Sequence, residues 1–335
     1  MPELRVGIDV SPLALTRAGT ARYVTSLLAA LAAERSLELR RYSFGGPGRA
    51  TRVVRDTAWY LATLPLAARR DCLDVLHCPS VRAPFRSRMP LVVTVHDLAM
   101  LRHPPAFNRW TRAYSAFALP RVVRAASAIV TGSSFTRDEL GELLGVPAAK
   151  VRVIPYGVGP PFTAAGPRAE GDYVLAVSTL EPRKNLPRLV EGFRRARLDG
   201  CELRVVGAPG WGGVAIGGAS VRWLPDVGDE ELARLYRGAR CVAYLSLYEG
   251  FGLPVLEAMA CGAPVVTSTA PPFGEFAGGV AVSVDAQDPD AIAAGLEDAS
   301  RRRDELGALG PRRAAEFEWA RAARATLDVY REVAA

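Results

Sequence analysis

The sequence predicts an α/β protein made of two doubly wound domains, and three observations carry that reading. Short apolar runs alternate with amphipathic stretches along the chain, as strands alternate with helices in open parallel sheets. The 335 residues exceed one ordinary core and suit about two. From residue 158 to 171 the alternation gives way to prolines and glycines, the composition of an interdomain linker. The first domain is assigned to residues 1–165 and the second to 166–313, followed by a last helix over 314–335.

In the first domain the run 4–10 predicts the opening strand, and an amphipathic helix follows over 21–33. Runs 75–77, 91–95, 128–131 and 151–157 predict the remaining strands, and Ser134 or Thr136 can cap the helix after the third of these. The polar pair His96-Asp97 leaves the apolar run 91–95 at the carboxyl edge, where such sheets bind ligands. In the second domain, strand 173–178 leads into a loop carrying Arg183, Lys184 and Asn185, with Pro187 near a helix start. Strands at 203–207 and from 221 follow, with a glycine-rich loop through Trp211 and a helix capped by Asp226 or Asp229. The run 241–246 is a buried strand, and Gly250 and Gly252 then let the backbone approach a ligand closely. Pro254 suits the first turn of a short helix reaching about Cys261, with Gly262 past its end and Pro264 barring its continuation.

That helix aims its positive end at whatever the glycines admit, which favours an anion. Arg183 can grip a phosphate as a fork and Lys184 adds a point charge. Glu249 before the helix and Glu257 one turn inside it do not read as an acid/base pair.

Composition narrows the classes. A chain 49% hydrophobic and 23% charged matches an ordinary globular protein. Cys72, Cys78, Cys201, Cys241 and Cys261 lie in apolar runs without a C-x-x-C, which points to reduced thiols and a cytoplasmic setting rather than zinc. Neither a signal-peptide core nor an apolar run of about 18 residues occurs, so no membrane-spanning helix is expected. The net charge of +7 is uneven: residues 1–165 hold 22 Lys+Arg against 11 Asp+Glu, and residues 166–335 hold 20 against 24. The basic half suits either a solvated arginine-rich surface or an anionic membrane, with Arg69, Arg70 and the 59–66 stretch among the contacts. Nucleic acid is not expected, since no motif interleaves aromatic with basic residues.

The segment EGFGLPVLEAMACGAPVVTS, residues 249–268, resembles the donor-site signature of family 4 glycosyltransferases of the group 1 type. EPRKN at 181–185 is similar to that family's E-x-R-K-N segment, and AGTARY at 18–23 to its G-G-x-G-R-Y loop with two glycines replaced by alanine. Tyr156 stands where many relatives carry Asn, and 269–279 is looser than the usual P-E-x-x-G, with Glu275 for its glutamate. The resemblance implies a retaining enzyme of GT-B fold, in which two Rossmann-like domains face each other across a cleft.

It further implies a nucleotide-sugar donor held by the second domain and a sugar, lipid-linked or small-molecule acceptor held by the first. Arg183 and Lys184 would stabilise the departing diphosphate, which Gly19 approaches, and His96 would reach the donor sugar or its phosphate. Glu249, with Gly250, Phe251, Gly252 and Leu253, would orient the sugar, and Glu257 would accept hydrogen bonds from the ribose. No cofactor or metal is implied, and the last helix would cross back onto the first domain. His77 and His103 carry no such context and read as structural. The alternatives are a nucleotide-sugar 2-epimerase of the same fold, which lacks this paired-glutamate loop, and an inactive sugar-nucleotide-binding partner, which would be expected to have lost one of the four charged residues.

Overall fold

The computed structural model describes residues 4–16, 19–46, 48–107, 109–210, 212–214, 216–218, 220–225 and 227–335. Ala18, Trp211 and Asp226, singled out from the sequence, lie outside them. The chain divides into two units, Met1–Gly157 with Trp319–Ala335, and Val158–Glu318.

Strands buried on both faces read as continuous apolar runs, and both sheets are built of them. In the first unit β1 (Leu4–Asp9), β2 (Leu37–Tyr42), β3 (Val75–Cys78), β4 (Leu91–Thr94), β5 (Ala128–Thr131) and β6 (Val151–Val153) pair in parallel in the order β2-β1-β3-β4-β5-β6. In the second, β7 (Tyr173–Val177), β8 (Glu202–Val206), β9 (Val221–Leu224), β10 (Cys241–Tyr244), β11 (Val265–Ser268) and β12 (Val282–Val284) run β12-β11-β10-β7-β8-β9. Both orders are those of doubly wound α/β sheets, with all strand ends of one sense along one edge.

The first unit's helices are α1 (Gly19–Leu31), α2 (Arg49–Val54), α3 (Leu64–Arg70), α4 (Ala99–Arg102), α5 (Arg109–Ala125) and α6 (Ser134–Leu144). The second unit's are α7 (Leu186–Arg195), α8 (Asp229–Gly238), α9 (Leu253–Ala260), α10 (Pro271–Phe276), α11 (Pro289–Arg301) and α12 (Arg303–Ala314). The last, α13 (Trp319–Ala334), packs against α1 in the first unit. Residues 314–318, counted with that helix from the sequence, instead belong to the end of α12 and a turn in which Phe317 N–H bonds Ala314 O at 3.0 Å. Segment 158–165 likewise packs with the second unit: Val158 N–H bonds Phe317 O at 2.9 Å, and the Arg237 guanidinium donates to the carbonyls of Pro161, Thr163 and Pro167. The division therefore falls at 157/158.

Other local expectations shift by a residue or a face. The cap of α6 is Ser133, whose extended backbone lets Oγ accept from Thr136 N–H at 3.2 Å. Gly228 precedes α8, and Asp229 is its first residue, where an acid suits the helix dipole. The 59–66 stretch is not an outer apolar strip. It falls in a π-helical run, Arg55–Thr63, and the start of α3, and sends Trp59, Tyr60 and Leu64 into the core while Leu61 and Leu66 stay outside.

The final helix is pinned by a buried polar chain. His77 on β3 bonds Tyr330 Oη at 2.6 Å through Nδ1 and Thr94 Oγ1 at 2.8 Å through Nε2. Burial, with the neighbouring His96, holds its pKa down at about 3, so the ring is neutral and offers one donor and one acceptor. Tyr330→Phe strands one ring nitrogen in the core, and we expect it to cost ~1–3 kcal/mol of the first unit's stability in urea unfolding. A loss below ~0.5 kcal/mol would show that the helix does not depend on this bond.

Candidate functional site

The charged residues of the second unit meet where two neighbouring strands, β7 and β10, end on the same edge. After β7 the chain makes a single tight turn, Pro182–Lys184, closed by Asn185 in the left-handed region at φ 59°. Asparagine tolerates that region better than branched residues, and here its Nδ2 also bonds Ala286 O at 2.6 Å. The turn thus points Arg183 and Lys184 towards the loop that follows β10.

That loop supplies the countercharge. Lys184 Nζ bonds Glu249 Oε1 at 2.5 Å and Tyr244 Oη at 2.9 Å. Arg183 lies 3.3 Å from Glu249 Oε2, bonds Glu181 Oε1 at 2.8 Å and donates to Tyr248 O at 2.8 Å. Tyr244 Oη closes the ring on Glu249 Oε1 at 3.1 Å. All three charged side chains are nearly out of solvent, at 13%, 9% and 8% exposure for Arg183, Lys184 and Glu249. Burial alone would raise the Glu249 pKa, but attraction to Lys184 and then Arg183 outweighs it and draws the carboxyl down to about 2. For Lys184 burial opposes the charge and Glu249 more than restores it, so its pKa is raised.

The loop then turns into α9. Gly252 sits at φ 104°, and a Cβ there would fall 2.6 Å from the Phe273 ring, so glycine is required on both counts. Phe251 is buried and stacked on Phe276 at 4.8 Å, which anchors the loop from below. Leu253 opens the helix, Pro254 occupies its first turn, and Gly262 ends it at φ 72°. One turn in, Glu257 is 3% exposed and accepts from Tyr236 Oη at 3.3 Å. A further loop comes close: at Gly210 an added Cβ would lie 2.2 Å from Leu180 O.

Two sequence candidates belong to the first unit. His96, half-buried, bonds Tyr156 Oη at 2.7 Å through Nδ1 and Pro79 O at 3.1 Å through Nε2. The carbonyl can only accept, so this network assigns the proton to Nε2, and burial lowers the ring's pKa. Tyr23 packs edge-on against it at 4.9 Å. Gly19 is the first residue of α1, and among the described residues nothing lies within 4 Å of a Cβ built there, so their packing does not demand a glycine. Tyr244, Glu181 and Tyr156 are the partners the sequence reading missed. Tyr244 was a hydroxyl at the end of a buried run, Glu181 stood inside EPRKN, and only the fold could match Tyr156 to His96. Among the described residues no group of three His, Cys, Asp or Glu stands together as metal ligands do.

Paired doubly wound units, one with a cation pair and a glycine-led helix start at its sheet edge, define the GT-B class of sugar-transferring proteins. The chain matches the family described as Glycosyltransferase Family 4 over residues 7–160 and that described as Glycosyl transferases group 1 over 163–312. It is 31% identical to the O-antigen chain mannosyltransferase B of Escherichia coli over 293 residues, which is 79% of this chain and 76% of that one. Among solved structures it resembles sucrose-phosphate synthase from Thermosynechococcus elongatus, with TM-score 0.79, 18% identity and 98% of each chain covered. It also resembles HepE of Anabaena in complex with UDP-glucose, with TM-score 0.76, 16% identity and coverage of 98% and 100%. The chain belongs to the family 4, group 1 glycosyltransferases: it is a sugar-transferring enzyme of GT-B fold, and the epimerase reading is not favoured.

The Glu249 pairing makes a pH prediction. A carboxyl lowered from 4.5 to about 2 adds stability that is fully present above about pH 4.5 and lost as pH falls through about 2. Lys184→Met should flatten that acid limb. Urea midpoints measured across the window would show an unchanged slope if the pair contributes nothing.

Proposed function

We propose that the enzyme is a retaining hexosyltransferase, binding a nucleoside-diphosphate sugar in the second unit and an acceptor in the first. The observation that carries this is the Arg183–Glu249–Lys184 cluster beside the amino end of α9. Cleavage of a glycosyl phosphate bond builds negative charge on the diphosphate and positive charge on the sugar. Two cations and the positive end of the α9 dipole answer the first, and the Glu249 carboxylate answers the second. The sugar C1–O bond to phosphate breaks, the acceptor oxygen bonds C1, and its proton leaves with the diphosphate side. Attack from the leaving-group face retains the anomeric configuration without a covalent intermediate.

In this reading Glu257 holds the ribose diol and Gly250 to Leu253 lie against the sugar. The reading assigns no metal or cofactor, because Arg183 and Lys184 supply the countercharge. The solved UDP-glucose complex of HepE supports a donor of this kind. The mannosyltransferase relative supports a hexose as the transferred group.

A second element of the proposal is peripheral contact with an anionic membrane at its cytoplasmic face. No helix among the described residues is long and apolar enough to cross a membrane. Leu61, Leu66, Trp110 and Phe117 are nonetheless at least 40% exposed on the first unit, in stretches of sequence that also carry Arg69, Arg70, Arg109, Arg112 and Arg121, and the Arg121 guanidinium lies over the Phe117 ring. Apolar side chains set among arginines suit a headgroup layer.

Arg183→Ala and Lys184→Ala should each lower turnover by at least ~100-fold, and near-native rates in both would refute the leaving-group role. Glu249→Gln should depress turnover more than affinity, whereas Glu257→Gln should weaken nucleoside-diphosphate binding in calorimetry. The opposite pattern would reverse the two assignments. In flotation at low salt the protein should follow anionic but not neutral vesicles, and Leu66→Ser with Phe117→Ser should weaken that preference. Equal recovery with both vesicle types would reject membrane docking.

A further inference from the structure

A second charged cluster lies inside the first unit, at the carboxyl edge of its sheet. Asp9, the last residue of β1, accepts from Tyr60 Oη at 2.8 Å, and that bond draws the π-helical run Arg55–Thr63 onto the edge. Such runs are frequent at functional sites. On this run Arg55 and Asp56 are 2% and 1% exposed, an unusual burial for charged residues. Asp56 Oδ1 accepts from Arg55 Nε and from Arg82 Nε, each at 3.1 Å, and Trp110 Nε1 lies 3.4 Å from Oδ2. Arg82 follows β3, the strand beside β4 from which His96 emerges.

Asp56 is shared between the two guanidinium groups, while Asp9 is engaged by Tyr60 instead. Two donors of this cluster, Arg55 Nη1 and Tyr114 Oη, are buried and have no hydrogen-bond partner among the described residues. The two belong to one locality: Arg82 lies 5.8 Å from the Tyr114 ring centre, and Asp56, Arg82 and Arg55 all act electrostatically on that hydroxyl. Burial keeps the Tyr114 hydroxyl protonated, with its pKa at about 12, so it can donate. Buried donors without partners are rare and ask for an explanation. Beside them Trp110, 42% exposed, stacks on Tyr114 at 6.3 Å and offers a flat apolar face.

We propose that Arg55, Arg82 and Tyr114 form an anion subsite for the acceptor, binding a phosphate ester, with Trp110 lying against the group that carries it. A forked guanidinium suits a phosphate oxygen pair, and a neutral hydroxyl adds a third donor. The inference rests on the reading that the first unit binds the acceptor, and it narrows that acceptor to a phosphorylated one, either a soluble sugar phosphate or a lipid headgroup.

The test uses the intact chain labelled with 15N at tryptophan. The indole signal of Trp110, assigned through Trp110→Phe, reports the cluster, and that of Trp223 reports the second unit. Titrants are inorganic phosphate, a hexose 6-phosphate, the neutral hexose and a short-chain phosphatidylglycerol. Hexose 6-phosphate or the phospholipid should shift the Trp110 signal saturably, at least ~10-fold more tightly than neutral hexose, and the stronger of the two names the source. Arg82→Gln and Tyr114→Phe should each weaken that binding by about tenfold. They carry the test even if the buried Arg55→Gln does not fold. Neutral hexose binding as tightly, or phosphate binding unchanged in both variants, overturns the proposal. Nucleoside-diphosphate binding is measured separately by calorimetry, and its failure would sink the donor reading while leaving the anion result to stand.

Discussion

The carboxylate of Glu249 is the point on which the second unit's edge depends. It takes Lys184 on one oxygen and Arg183 on the other. Because β7 and β10 are neighbours, their loops emerge side by side, and a single side chain from one can hold two cations of the other. Removing one partner from a buried pair typically costs ~3–5 kcal/mol, since a charge is left without water or countercharge. Glu181 and Tyr244 spread that risk by bonding Arg183 and Lys184 in turn. The cations are therefore held in place by the fold before any substrate chemistry is considered.

Backbone shape does the rest of the positioning. Gly252 and Asn185 take left-handed conformations at the starts of α9 and α7, so each helix begins immediately beside the charged loop. The buried stack of Phe251 on Phe276 removes the freedom that a glycine-flanked loop would otherwise keep. Precision at this edge comes from two backbone exceptions and one aromatic anchor, with side-chain charge laid over them.

Much of this was legible in the sequence because it is local. Apolar runs gave the two sheets, and the spacing of Gly252, Pro254 and Gly262 placed α9 nearly to the residue. β2 was missed because it is an edge strand in which only Leu37 is buried, and β12 because three residues carry too little pattern. The domain division was misplaced because proline and glycine content marks irregular chain, whereas Arg237, over 70 residues later, decides which unit that chain packs with. Tyr244, Tyr156 and Tyr330 were illegible for the same reason: a tyrosine in an apolar run looks like core until the fold shows which polar group its hydroxyl meets.

Lys184 has one more consequence. Only two of the chain's 42 basic residues are lysines, so arginine is the cation this sequence uses almost everywhere. At 184 two of the amine's three N–H groups are committed, to Tyr244 and Glu249, and the third is left to point elsewhere. A planar guanidinium is larger and fixes its donors in one plane, which a slot 9% open to solvent and closed by a tyrosine does not suit. Position 184 is thus a place in an arginine-rich sequence where the shape of the slot suits lysine.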